Sequence, residues 1–390
     1  MKDMIDLILT HSEPASEGHL RQEIAAHTAA VLASARGGDR TLVQQAEEVV
    51  RQNPAAAFSF DSNHSATLTV SGHSWQAGHF ELVSIGDLKS RADKLLSKGV
   101  DAKAHLWVLD GASPVTDIGA LQATSRDTLF QVASQFNCLE SSGPRVTNVA
   151  NYFHDFTQGP RASISAFPAT LLRHYRAPGA GGRSFVQQTD GEQIDLLADA
   201  CGGRVSQNGY FTGEGINDLE ATIAALDTQF DKLRVGVHND VQVVLGYNWD
   251  GAVADSEDRR IAQVFTSTAA GGCYGAEEIL GAGTFVQASR QLLRAAYLGT
   301  LLAAVCLGYK RVCLTLIGGG VFQNPINLIV DSIFWALDEV RPYLSEDLEV
   351  IVNGYSLGSQ VNLDTIVPKV RDRGGAVLIF DSSGLAAIRR

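Results

Sequence analysis

Val312 to Leu337 reads VCLTLIGGGVFQNPINLIVDSIFWAL, and the fold turns on how this stretch is read. The apolar run Val312 to Ile317 predicts a buried strand, and Gly318, Gly319 and Gly320 predict a loop after it. Asn324 and Pro325 then predict a helix start: Asn caps a first turn, and Pro suits the first helical position, where its missing N–H would have had no intrahelical partner. Ile326, Ile329, Val330, Ile333 and Leu337 keep helical spacing, so one helix face packs on a sheet. Glycines let backbone N–H groups approach a ligand closely, and a helix N-terminus favours negative charge. A phosphate or diphosphate is the expected guest; a tight turn without a ligand is the other reading. A nucleoside-triphosphate P-loop would need Lys and Ser or Thr where Val321, Phe322 and Gln323 stand, and Gln323 occupies the place of the last glycine of a dinucleotide fingerprint.

The chain has 390 residues, 45% hydrophobic and 19% charged, which is the composition of a globular protein with room for a sizeable core. Its net charge of −12 and the absence of any Lys/Arg run argue against nucleic acid or an anionic membrane as partner. An anionic ligand must then be held by backbone N–H groups and a few arginines. The five cysteines form no C-x-x-C pair and have no His at zinc spacing, so a reducing compartment is expected. No leader-like segment opens the sequence and no uninterrupted apolar run reaches the ~18 residues of a membrane span, so the expected location is the cytoplasm. His64, His73 and His79 cluster without ligand spacing, and no metal is expected.

Residues 1–55 read as an N-terminal helical extension. From there strands and helices alternate, which predicts an α/β fold with a mixed or parallel sheet covered on both faces. The strand LFQVAS (Leu129 to Ser134) delivers Gln135, Asn137, Cys138 and Glu140 at its carboxyl end, where open α/β sheets place ligands. Asn137 and Glu140 either contact sugar hydroxyls or bond local backbone. Asp117 and Gln122, following the strand Leu106 to Leu109 and its turn, join the ligand candidates. Thr157, Gln158 and Gly159 form a second loop before a helix, with Asp155 just ahead of it, placed for acid/base work. Asp240 interrupts the strand pattern Arg234 to Leu245, and Asp250 sits in the turn after Trp249.

These motifs resemble macrodomains. The strand with Gln135-Phe136-Asn137 resembles their asparagine-bearing strand end, Thr157-Gln158-Gly159-Pro160 their first catalytic loop, and Gly318 to Phe322 their diphosphate-binding loop, all in macrodomain order. The ASQFNCLE and D-x-TQGP patterns look most like the MavL-like ADP-ribosylhydrolases, a divergent group. The likeness covers residues 110–337. It implies a macrodomain-like three-layer α/β/α sandwich with a mixed central sheet over 56–390, with Asn137 near the distal ribose and Gly318, Gly319, Gly320, Val321 and Phe322 wrapping the diphosphate.

It further implies removal of ADP-ribose from modified side chains, arginine first, by water attack at C1″ of the distal ribose. Acidic residues carry the chemistry in that group, and Asp155, Asp240 and Asp250 are the candidates here. The implied partners are ADP-ribose or an ADP-ribosylated protein, with no cofactor. The alternatives are a non-catalytic ADP-ribose or nucleotide-binding module and a thiol hydrolase using Cys138.

Overall fold

Thr128–Ala133 shows how the sequence builds the layers. Its residues are almost all apolar and buried, as expected of a strand covered on both faces. Its mid-strand polar residue, Gln131, is fully satisfied: its amide donates to Ala296 O (3.3 Å) and Thr300 Oγ1 (3.2 Å) on one long helix and accepts from Thr315 N (3.2 Å) on the neighbouring strand. Its neighbour Val132 lies beside Phe265, whose ring carries the Arg173 guanidinium at 3.6 Å on the opposite face. Side chains alternate between faces along a strand, so helices cover both sides of the sheet.

The computed structural model describes residues 2–11, 13–34, 40–97, 101–143, 145–178, 187–249 and 259–390. Within these, one mixed sheet holds eleven strands. They are β1 (Phe58–Phe60), β2 (Ala66–Val70), β3 (His73–Ser84), β4 (Ala104–Asp110), β5 (Thr128–Ala133), β6 (Arg234–Gln242), β7 (Arg260–Thr266), β8 (Arg311–Thr315), β9 (Leu348–Asn353), β10 (Val377–Asp381) and β11 (Gly384–Arg389). Their spatial order is β1-β2-β3-β6-β7-β5-β8-β9-β4-β10-β11. The run from β7 to β10 is parallel, and the strands outside it pair antiparallel. The carboxyl ends of β5, β8 and β9 therefore emerge side by side, and the loops that follow them share one crevice.

The helix Ala282–Leu307 lies on the Gln131 face, between the helices Ile85–Asp93 and Ile326–Val340. By length and composition it could cross a membrane, but most of its apolar surface is taken up by these neighbours and the sheet. The helices Gln158–Ser165 and Phe167–Tyr175 lie on the other face: Gln263 of β7 donates to Ala162 O (2.9 Å), and His238 of β6 meets Arg173 (3.1 Å).

The described helices of the first 55 residues are packed into this body. Met4, Ile5, Leu20 and Ile24 are buried in the main core, and Arg21 donates to the carbonyls of Leu385 and Ala386 (both 2.7 Å), covering the edge strand β11. The helix Arg40–Gln52 belongs instead to a second apolar cluster with β1, β2, Phe153 and Phe167.

Leu301 is fully buried where the long helix meets the sheet. Leu301→Ala is expected to cost roughly 2–5 kcal/mol through lost burial and a cavity, read as a lower denaturation midpoint at unchanged slope.

Candidate functional site

The crevice is a cleft of ≈ 380 Å3 at the carboxyl ends of β5, β8 and β9. That is within the range of small-molecule sites.

Its floor is the loop after β8. Gly319 N bonds Leu316 O (3.1 Å), Gln323 N bonds Gly320 O (3.0 Å), and Asn324 N returns to Gly318 O (3.0 Å). Gly318 has φ +73°, and a Cβ there would lie 2.3 Å from Thr268 Cγ2, so both backbone and space require glycine. Asn324 does not cap the helix, which begins at Ile326. Its buried amide instead donates to Ala269 O (3.0 Å) and Gly318 O (3.3 Å) and accepts from the Thr268 hydroxyl (3.3 Å), tying the loops after β7 and β8 together. Among the described residues, the N–H groups of Gly320, Val321 and Phe322 donate to no acceptor. They lie beside the N-terminus of a 15-residue helix, a setting that suits an anion.

One wall carries Glu140 and Asp155. The Glu140 backbone N–H donates to the Tyr152 hydroxyl (2.7 Å), which pairs in turn with His174 Nε2 (2.7 Å). Burial, with a smaller effect from Arg173, depresses His174 to about 3, so the ring beside the Tyr152 hydroxyl is neutral. Arg173, itself buried, donates to Cys138 O (3.2 Å) and fixes the same turn from below. The Glu140 side chain packs on Gly159, where a Cβ would come within 2.5 Å of Oε1; that oxygen is buried with no partner among the described residues. Burial first, and then the nearby Asp155 carboxylate, push Glu140 well above the usual carboxylate range, with Arg173 opposing them. Asp155 accepts from the N–H (2.9 Å) and hydroxyl (2.7 Å) of Thr157 through Oδ1 alone.

The opposite wall is aromatic. Tyr210 stacks on Tyr274 (centroids 4.5 Å, 24°), and Phe322 meets Tyr274 edge-on at 5.2 Å. Beyond the glycine loop, Asn353 and Tyr355 extend the cleft from the end of β9, and exposed Phe156, Val321 and Tyr355 form its rim.

Of the residues singled out from sequence, the cleft gathers Gln135, Asp155, Thr157, Gln158, Gly159, Gly318, Gly319, Gly320, Val321 and Phe322. Asn137, Asp117, Gln122, Asp240 and Cys138 do not line it. Asn137 is fully buried, donating to Gln193 (3.0 Å) and accepting from Leu139 N (3.0 Å), so it is a turn residue. Asp117 caps the helix Ile118–Thr124 through Ala120 N (3.1 Å) and pairs with Arg161, which does line the cleft. Gln122 is fully buried beside Gln263.

Asp240 sits at φ +57° in a bulge of β6 and pairs with Arg260 (3.0 Å). Because β6 runs antiparallel to β7, this places it at the opposite end of the sheet from the cleft. Asp250 lies outside the described residues. Tyr210, Tyr274, Arg161 and Asn353 also line the cleft and were not singled out from sequence. Cys138 does not line the cleft, and burial pushes its thiol up to about 12, which removes it as a nucleophile.

No protein-family model matches the chain, and no curated protein matches it. Among solved structures it is similar to a poly(ADP-ribose) glycohydrolase from Thermomonospora curvata (TM-score 0.40, 14% identity, 80% of this chain and 92% of that chain). It is also similar to a point mutant of the Deinococcus radiodurans poly(ADP-ribose) glycohydrolase solved in complex with ADP-ribose (TM-score 0.40, 10% identity, 74% of this chain and 95% of that chain). At these values the likeness carries no weight for function, which is read below from the cleft's own residues.

Glu140 makes the site costly to the fold. A carboxyl whose folded-state pKa is raised keeps its proton while the unfolded chain has already lost it, so stability falls as pH rises from the ordinary carboxylate pKa to the raised one. Glu140→Gln removes that dependence. The variant is expected to melt higher than the parent at pH 8, with the difference vanishing at pH 4, in thermal scans at both pH values.

Proposed function

We propose that the chain is an ADP-ribosylhydrolase that cleaves the bond between C1″ of the distal ribose and a modified protein side chain. The observation that carries this reading is Glu140, half-buried, with a raised pKa and a buried Oε1 that has no partner among the described residues, beside Asp155 and within the same cleft as the glycine loop. The loop's unpaired N–H groups would hold the diphosphate, and the Tyr210, Tyr274 and Phe322 rings would offer apolar faces to a sugar or base.

Hydrolysis at C1″ passes through an oxocarbenium-like state. Water attacks C1″, its oxygen forms the new bond and its proton goes to Asp155. The bond to the side chain breaks as Glu140 gives its proton to the leaving group. The Asp155 carboxylate also stabilises positive charge at the sugar.

Arginine-linked ADP-ribose is the proposed substrate, because a carboxylate-bearing wall suits a cationic guanidinium. One observation favours a second reading, an oxygen-linked conjugate. A protonated Glu140 supplies what an alkoxide leaving group needs, whereas a guanidinium departs as neutral guanidine without it.

The test is a hydrolysis panel of arginine-, serine- and glutamate-linked ADP-ribose. Turnover of at least one linkage is expected; Asp155→Asn should lower it by ~100-fold or more on any linkage, and Glu140→Gln by as much on an oxygen-linked conjugate, while ADP-ribose affinity is retained. Unchanged turnover in both variants would remove the two carboxyls from the mechanism, and ligand binding with no product on any linkage would leave a recognition module.

A further inference from the structure

The short helical segment Val149–His154 supplies both supports of the acid wall. Tyr152 holds the Glu140 N–H, and Asp155 follows directly, its N–H bonded to Tyr152 O (3.1 Å). Such a segment needs an N-terminal cap, since its first N–H groups have no partner within it. Asn148 stands in the capping position, but its side chain makes no capping bond.

The cap comes from about a hundred residues upstream. Glu47, on the helix Arg40–Gln52, accepts from Val149 N (2.6 Å) and Ala150 N (2.8 Å) with its two carboxylate oxygens, and from the Tyr175 hydroxyl (2.8 Å). Glu47 is 3% exposed, and Arg40 of the same helix lies over the Phe153 ring at 5.2 Å. A buried carboxylate meeting backbone donors forms strong, geometrically demanding bonds.

The apolar packing follows the same division. Val43, Ala46 and Val50 of this helix share the second cluster with Val149, Tyr152 and Phe153, whereas Ile317 and Ile329, which flank the glycine loop, belong to the main core. The segment that supports the acid wall thus rests on the second core while the turn carrying Glu140 belongs to the main one, and Glu47 is a polar contact through which the N-terminal helix grips that segment.

We propose that Glu47 is a positioning residue: the helix Arg40–Gln52 acts as a clamp that sets where the Glu140 and Asp155 carboxyls stand in the cleft. This rests on the reading of those two residues given above. Glu47→Gln keeps the side chain's shape but turns one oxygen into an NH2 group facing a backbone donor or the Tyr175 hydroxyl, so the clamp loosens. Tyr175→Phe removes one of the three bonds and leaves the cap in place.

The deciding experiment is a carboxyl-carbon NMR titration of Glu140 in the full chain, parent and both variants, alongside kcat and ADP-ribose affinity. In Glu47→Gln the Glu140 titration should move down toward the ordinary carboxylate range as water reaches it. The kcat should fall by ~10-fold or more at an affinity within a factor of about two. Tyr175→Phe should move both in the same direction by less, and it decides the matter if Glu47→Gln does not fold. Folded variants whose Glu140 titration matches the parent overturn the proposal. The titration needs no substrate, so a chain that hydrolyses no ADP-ribose conjugate would sink the proposed function while leaving the role of Glu47 decided on its own.

Discussion

The Tyr152 hydroxyl is the interaction on which the acid side of the cleft depends. It takes the Glu140 N–H and pairs with His174, so a carboxyl that burial would otherwise expel is held in one place by its own backbone. A hydroxyl that already accepts one bond can give its own proton to an imidazole only when that ring is neutral. Burial keeps His174 in that state. The same burial raises Glu140, so the feature that anchors the residue also gives it a proton to donate.

The glycine loop imposes the complementary constraint. Gly318 must be a glycine because Thr268 approaches where a side chain would stand, and Thr268 is fixed by Asn324. The loops after β7 and β8 are thereby locked together, placing Tyr274, from the first, against Phe322, from the second. Rigid elements position one wall of donors and one of rings, and strand order brings the carboxyl-bearing loop after β5 next to them.

Much of this was legible where local pattern and tertiary role coincide. The apolar run at Val312, the three glycines and the apolar spacing from Ile326 gave β8, its loop and its helix, and LFQVAS gave β5 with its polar tail. The failures share one cause, which is that a residue's partner lies far away in sequence. Asp240 read as an acid breaking a strand, but Arg260 and a bulge absorb it within the strand. Asn324 read as a helix cap because the cap position is local, while its actual acceptors, Ala269 and Gly318, are set by the packing of two loops. Glu140 was visible as a polar residue at a strand end, but its raised pKa comes from a burial that no single segment encodes and, second, from Asp155. Tyr210 and Glu47 gave no local signal, since each acts on a segment tens of residues away.

The central claim is that this cleft takes ADP-ribose, and a calorimetric titration with ADP-ribose, beside AMP and NAD, tests it most directly. The account predicts one-to-one binding of ADP-ribose, tighter than that of either control, because the proposed site would take the diphosphate at the glycine loop and a free distal ribose beside Glu140 and Asp155, which line the same cleft. No binding of ADP-ribose, or binding no tighter than that of AMP, would mean that the glycine loop is a structural turn or serves another phosphate, and would contradict the account.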